Sequence, residues 1–244
     1  MKLLTPKARG ESVWAYTSSF GGGLVAGDQT SLHLEVGAQA RCYLGSQAST
    51  KVYRNPLARA CGHESDATLL GESLLVFAPD PVQAFAGSRY RQRQMFHLNG
   101  SASLVLLDWL SSGRTACGER WEFDRFESRN DVLVEGRRVF MDSLGLESTG
   151  QPLTSTHRLG RFNCLATLLL IGPAVEPFAR QALQDVASRP VTRRGSLIIA
   201  ASPVGSGVVV RIAGESTELV GREIHRHLQP LSALLGDDPW ARKW

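Results

Sequence analysis

The sequence predicts a mostly β, solenoid-like (β-helical) stack of hairpins and strands, joined in its C-terminal half by two α-helices. Three observations lead there. Strand-type alternation recurs from residue 30 onward, glycine-marked turns follow strands at positions 37, 71 and 100, and helix-period stripes appear only after residue 176. The chain has 244 residues, 43% hydrophobic and 20% charged, which suffices for a buried core and differs from a disordered chain. Its 24 glycines, about 10% of the chain against roughly 7% in an average protein, mark turns rather than a low-complexity tract.

Val13 to Thr17 reads as strand, and Thr30 to Val36 alternates strictly, with Leu32, Leu34 and Val36 on one face before Gly37-Ala38 turns it. Ala67 to Leu70 runs into Gly71-Glu72 and leaves through Ser73 to Phe77. Arg89 to Leu98 meets Asn99-Gly100, a strong hairpin signal, and leaves through Ser101 to Leu110. These pieces share one form, an apolar-ended strand, a glycine, one or two small or polar residues and another strand, with glycines 34 and 29 residues apart. They read as a degenerate internal repeat of about 30 residues in which hairpins or coils stack.

Trp121 to Phe126 is expected as a strand, and Val132 to Val134 pairs with Val139 to Met141 across Glu135-Gly136. Pro177 sits at the first turn of a helix carrying Phe178, Ala182, Leu183 and Val186 on one face and ending before Pro190. Leu197 to Ala201 and Val208 to Ile212 are short strands around a Pro203-Val204-Gly205 turn. A last helix from Thr217 to Leu228 aligns Leu219, Val220, Ile224, His227 and Leu228, and Pro230 breaks it or starts a new turn. With no Ser/Gly/Pro linker between them, a β body of about 1–148 and a mixed α/β completion of about 149–244 read as a single domain over 1–244.

Several classes are set aside on composition. The N-terminus reaches Pro6 and Lys7 before any apolar core forms, so no export signal is expected. The apolar stretch Cys164 to Val175 falls short of the eighteen or so residues of a spanning helix, and no membrane association is expected. Cys42, Cys61, Cys117 and Cys164 lie apart without a Cys-x-x-Cys pair, as reduced thiols of a cytoplasmic protein would. A net charge of +4 is too small to argue for nucleic acid. Arg89, Arg91 and Arg93 share a strand face, but Tyr90 and Phe96 point to the other one, which disfavours an RNA surface.

The densest local signal is Phe20-Gly-Gly-Gly-Leu-Val-Ala-Gly-Asp28. Gly21, Gly23 and Ala26 satisfy a G-x-G-x-x-A pattern, but a strand follows where a phosphate-binding helix would have to begin, and no Gly-Lys-Ser/Thr follows. A flexible glycine turn explains Gly21, Gly22, Gly23 and Gly27 and leaves Asp28, a carboxylate beside bare backbone, without a role. A small-molecule or nucleotide-binding enzyme using this loop is the alternative function. Cys61-Gly-His63 is a two-ligand clip with no second pair, and His225 and His227 project roughly 200° apart on a helix. No nucleophile elbow or metalloprotease motif is present. Any metal would be held weakly, by scattered carboxylates, backbone oxygens and water.

Four segments in order resemble the urease accessory protein UreD (UreH) family. They are Gly21 to Asp28; Gln47-Ala-Ser-Thr-Lys51-Val-Tyr53-Arg54; Leu110-Ser-Ser-Gly-Arg114 through Gly118-Glu119; and Glu135-Gly-Arg137 through Phe140-Met-Asp142-Ser-Leu144. The chain departs from the family pattern at Ala26, usually Gly, and at Asp142, usually Glu. The resemblance implies a β solenoid with two helices and no enzymatic activity. It implies a urease maturation chaperone that with UreF recruits the GTPase UreG and docks on urease apoprotein, so that nickel reaches the active site. It further implies a water-filled route, with nickel bound only transiently and no tightly held cofactor. Asp28, Thr50, Lys51, Tyr53, Glu119 and Asp142 are the candidates for lining that route, bracing it or meeting a partner. Asp28, Glu119 and Asp142 are the weak metal candidates among them. The two C-terminal helices and the adjoining strands, as paired amphipathic elements at a chain end, are expected to carry the UreF contact.

Overall fold

The computed structural model describes residues 1–7, 10–57, 59–192 and 194–241. A short β1 (Lys2–Leu4) lies antiparallel to β2 (Val13–Ser18), and three coils follow. In the first, β3 (Gln29–Val36) turns into β4 (Arg41–Ser46) and continues to β5 (Thr50–Val52). The second runs β6 (Cys61–Leu69), β7 (Leu74–Phe77), β8 (Val82–Ala84), and the third β9 (Arg89–Leu98), β10 (Ser103–Ser111). The expected repeat is therefore present, as coils. Each coil lays one strand in each of two sheets, so β3, β6 and β9 pair in parallel on one side and β4, β7 and β10 on the other.

The Asn99-Gly100 hairpin does not form. A two-residue hairpin of that type needs positive φ at both central residues, and neither Asn99 nor Gly100 has it. Instead the Ala102 amide donates to the Asn99 carbonyl (2.9 Å), and the chain turns a corner between sheets as it does at 37–40 and 70–73. Glu135 and Gly136 do have positive φ, 48° and 74°. They close a true hairpin between β11 (Arg125–Val134) and β12 (Arg137–Glu147), which end the outer sheet in the order β12-β11-β9-β6-β3.

The larger sheet has ten strands. Its path passes from β1 through β2, β4, β7 and β10 to the antiparallel β13 (Cys164–Ile171), with β5 and β8 attached at the side. After α1 (Glu176–Ala187), β14 (Leu197–Val204) and β15 (Gly207–Gly214) complete it, and α2 (Thr217–Leu228) and the single-turn α3 (Ser232–Leu235) follow. One sheet thus contains strands from both halves of the chain. Trp121 to Asp124 is irregular rather than strand: Trp121 has positive φ and is anchored by its indole N–H to the Phe162 carbonyl (2.8 Å), and β11 begins only at Arg125. The expected turn at Pro203 also shifts. Pro203 and Val204 belong to β14, where proline is tolerated because β14 is the sheet's edge, and Gly205-Ser206 makes the turn.

Runs such as Leu74 to Phe77, Leu104 to Leu107 and Leu168 to Ile171 are apolar throughout because the large sheet is covered on both faces. Its one face, with Leu75, Phe77, Leu104 and Leu106, packs on Leu69, Phe96, Leu98 and Phe140 of the outer sheet. Its other face, with Val76, Val105, Leu107 and Leu168, packs on Ala179 and Ala182 of α1 and Val220, Ile224 and Leu228 of α2. Those helix stripes are consumed by the chain's own core, so their amphipathicity does not mark a docking face. The outer sheet has one wet face, and β9 alternates accordingly, Tyr90, Gln92, Gln94, Phe96 and Leu98 inward and Arg91 and Arg93 in solvent. All four cysteines are free. No helix among the described residues is long and apolar enough to cross a membrane.

Candidate functional site

The interior between the sheets is not uniformly apolar. One apolar cluster occupies the end near the coil corners, and a second, around Val52, Tyr90, Trp121, Phe123 and Phe126, occupies the other end. Between them runs a polar band. In the outer sheet, register places Thr30, His63, Gln92 and Ser128 side by side on successive strands, and Ser65, Gln94, Asn130 and Asp142 form the next rung. The large sheet answers with Asp108, Thr167 and Arg211, aligned across β10, β13 and β15.

Asp108 is the centre of this band. Its Oδ1 accepts from Gln92 Nε2 (3.1 Å), and its Oδ2 accepts from Ser128 Oγ (2.5 Å) and Asn130 Nδ2 (2.7 Å). Burial pushes its carboxyl above the usual range, and those three hydrogen bonds oppose the rise without cancelling it. Burial likewise lowers His63, whose Nδ1 and Nε2 contact Thr30 Oγ1 (2.8 Å) and Ser65 Oγ (2.9 Å). A cavity of about 480 Å³ reaches from the surface to Asp108, lined on the way by Asp28, Thr50, Lys51, Asp80, His63 and Gln94. Beyond Asp108, Thr167 Oγ1 donates to Asp142 Oδ2 (3.4 Å) and Arg211 pairs with Asp142 Oδ1 at 2.8 Å.

The expected site residues divide into three groups. Asp28, Thr50, Lys51, Gly22 and Gly23 line the cavity mouth. Asp28 is less bare than the sequence implies, since its Oδ2 accepts from the Val25 amide (2.9 Å) and closes its own loop. Gly21, Gly22 and Gly27 have positive φ, and a Cβ on Gly23 would lie 2.5 Å from the Lys51 carbonyl oxygen, so β5 can pass close to the loop only at a glycine. Tyr53 and Glu119 form a brace instead. Tyr53 packs edge-on against Phe85, Arg114 stacks over Phe85, and Glu119 takes both Arg114 and the Ala86 amide. Asp142 stands apart at the far end of the band.

Asp108, Gln92, Gln94, Ser128 and Asn130 are functional candidates that sequence reasoning missed. A signal existed for some of them: Asp108 is a lone acid in the apolar run Leu104 to Leu110, and Gln92 and Gln94 fall on the same strand face as Tyr90 and Phe96. Asp185, Glu223 and His227 also come together, with ligand atoms within 4.8 Å of one another. Arg189 bonds both carboxylates and Arg226 bonds Asp185, so this group reads as a clasp between α1 and α2. The Cys61-Gly-His63 clip lies in β6, and Cys61 Sγ contacts the Arg89 carbonyl oxygen (3.5 Å).

The chain is a β solenoid of two stacked sheets, backed by helices, with the half-buried carboxylate of Asp108 in the wall of a cavity that opens beside the glycine loop. The family model for the UreD urease accessory protein matches residues 1–244, and the chain belongs to that family. It is 48% identical over 245 residues to urease accessory protein UreD of Sorangium cellulosum, covering 100% of this chain and 77% of that protein. It is 41% identical over 243 residues to urease accessory protein UreD of Anaeromyxobacter sp. (99% and 81% covered). Urease accessory protein D of Arabidopsis thaliana is 32% identical over 270 residues (99% and 92% covered).

Proposed function

We propose that this urease accessory protein is a non-catalytic, cytoplasmic maturation chaperone that joins UreF and UreG on urease apoprotein and passes nickel toward its active site. The observation that carries the reading is the polar band between two apolar cores, with Asp108 at the end of a cavity open beside Asp28 and Lys51. A protein interior places a carboxylate between apolar layers at a cost, so a polar band two strand-rungs wide is the feature that favours a route for a hydrated cation. The donors along it are single carboxylates and neutral oxygens, as a carrier requires: every 1.4 kcal/mol of extra affinity would slow release about tenfold. The glycine loop leads through a turn into β3, so it offers no helix N-terminus to a phosphate.

The test is Asp28→Ala, which removes a carboxylate from the mouth at a half-exposed position. The variant is expected to fold, to co-purify with UreF, and to lower the nickel content and activity of co-expressed urease severalfold. Full activation of urease by a folded Asp28→Ala chain would refute a role for this mouth.

A further inference from the structure

Unpaired sheet edges invite another strand, and folded proteins usually blunt them. β14 carries Pro203, β12 begins with Arg137 and Arg138 at a register shift, and β1 has only three residues. The edge strand β3 has none of these devices: its eight residues keep unbroken register with β6 and include no proline, lysine or arginine. The Asp28 and Val36 carbonyls accept from the Gly62 and Leu70 amides (2.8 and 3.0 Å), so the even-numbered residues face β6. The N–H and C=O groups of Gln29, Ser31, His33 and Glu35 therefore point away from it, and no hydrogen bond reaches them among the described residues. The large sheet extends past this edge through β2 and β1. Trp14 packs on the helix side and Ala15 on the other, so Val13, Ala15 and Thr17, with Leu3 opposite Thr17, form a shelf on the outer-sheet side. Val13 and Leu3 are 59% and 50% exposed, and Thr17 lines the cavity together with Gln29, Thr30 and Leu32 of β3.

We infer that this slot takes one extended, basic segment of a partner protein, which adds a strand to β3 through main-chain hydrogen bonds and lays alternate apolar side chains on the shelf. The shelf decides against a second copy of this chain, because pairing β3 with another β3 would drive the second copy's β4, which lies beneath its own β3, into β2 and β1. The solvent face sets the charge of the occupant. Glu35 and, one strand inward, Glu64 are exposed there, and neither joins a salt bridge among the described residues, so lysine or arginine on the outward side of the added strand would complement them. The inference does not rest on the conduit reading.

The probe is a synthetic peptide as long as β3 that alternates valine with lysine, added to the full chain. Bound peptide is expected to slow hydrogen exchange at the Ser31, His33 and Glu35 amides and to leave Thr30, Leu32 and Leu34, which already face β6, unchanged. His33→Pro deletes one outward N–H and no bond to β6, and is expected to weaken the peptide about tenfold in fluorescence anisotropy. A valine–glutamate peptide is expected to bind more weakly by a similar factor. Exchange at the three odd-numbered amides unchanged at saturating peptide overturns the proposal, and that measurement on the unsubstituted chain decides even where His33→Pro fails to fold. Equal binding of the two peptides overturns the basic occupant, and self-association of the chain that peptide reverses overturns the choice of a partner over a second copy.

Discussion

The two ends of the polar band use the same residue types and reach opposite states. At the glycine-loop end, Asp28 is held by its own loop, Lys51 lies beside it without closing the space, and a cavity reaches inward to Asp108. At the other end the carboxylate of Asp142 is taken by Arg211 and Thr167. The difference lies in the backbone. The first loop turns on glycines with positive φ and pairs with β5 only through Leu24, whereas Asp142 sits in a continuous strand whose neighbours bring a guanidinium within reach. The acid at the glycine-built loop lines an opening, and the acid in the strand does not.

Substitutions at the open end should therefore cost most. Gly23→Ala forces a Cβ against the Lys51 carbonyl and is expected to destabilise by about 1–3 kcal/mol, with urease activation falling at least as far as in Asp28→Ala. Thermal melts and co-expressed urease activity check this. Gly21→Ala meets nothing within 4 Å but keeps a positive φ of 69°, so a smaller loss of about 1 kcal/mol is expected, with the mouth intact. Equal losses for the two would show that loop flexibility, and not the close approach of β5, sets the mouth. At the closed end Arg211→Ala removes a half-exposed partner and is expected to change stability by less than about 1 kcal/mol. Urease activation should not fall; a drop as large as that of Asp28→Ala would erase the contrast between the ends.

Much of the framework was legible because it is periodic. The alternation of β3, the bounds of α2 and the glycine spacing each report a local repeat, and the structure keeps them. Asn99-Gly100 misled because its dipeptide preference is local, while the strands on either side are claimed by parallel neighbours a coil away. β13 was read only for its length, since an apolar run buried on both faces has no period to betray it. The site was less legible still. Asp108 meets Gln92, Ser128 and Asn130, residues 16, 20 and 22 positions away, through register between sheets, and no spacing rule encodes that. Asp142 and Glu119 were visible as acids, but only geometry separates the far end of a band from a brace.

The account stands on Asp108, and Asp108→Asn tests it with little confounding. Folding keeps a proton on Asp108 at pH values where the unfolded chain has released it, so ionising it costs stability, which falls as pH rises from near 3.8 through the raised value. The substitution removes that slope. The new amide can meet the unpartnered Asn130 oxygen once Asn130 turns over, so at neutral pH the variant should melt no lower than the wild type. Co-expressed with urease and its other accessory proteins, the folded variant is predicted to leave urease at least tenfold poorer in nickel, and urease loaded to the wild-type level would contradict the account.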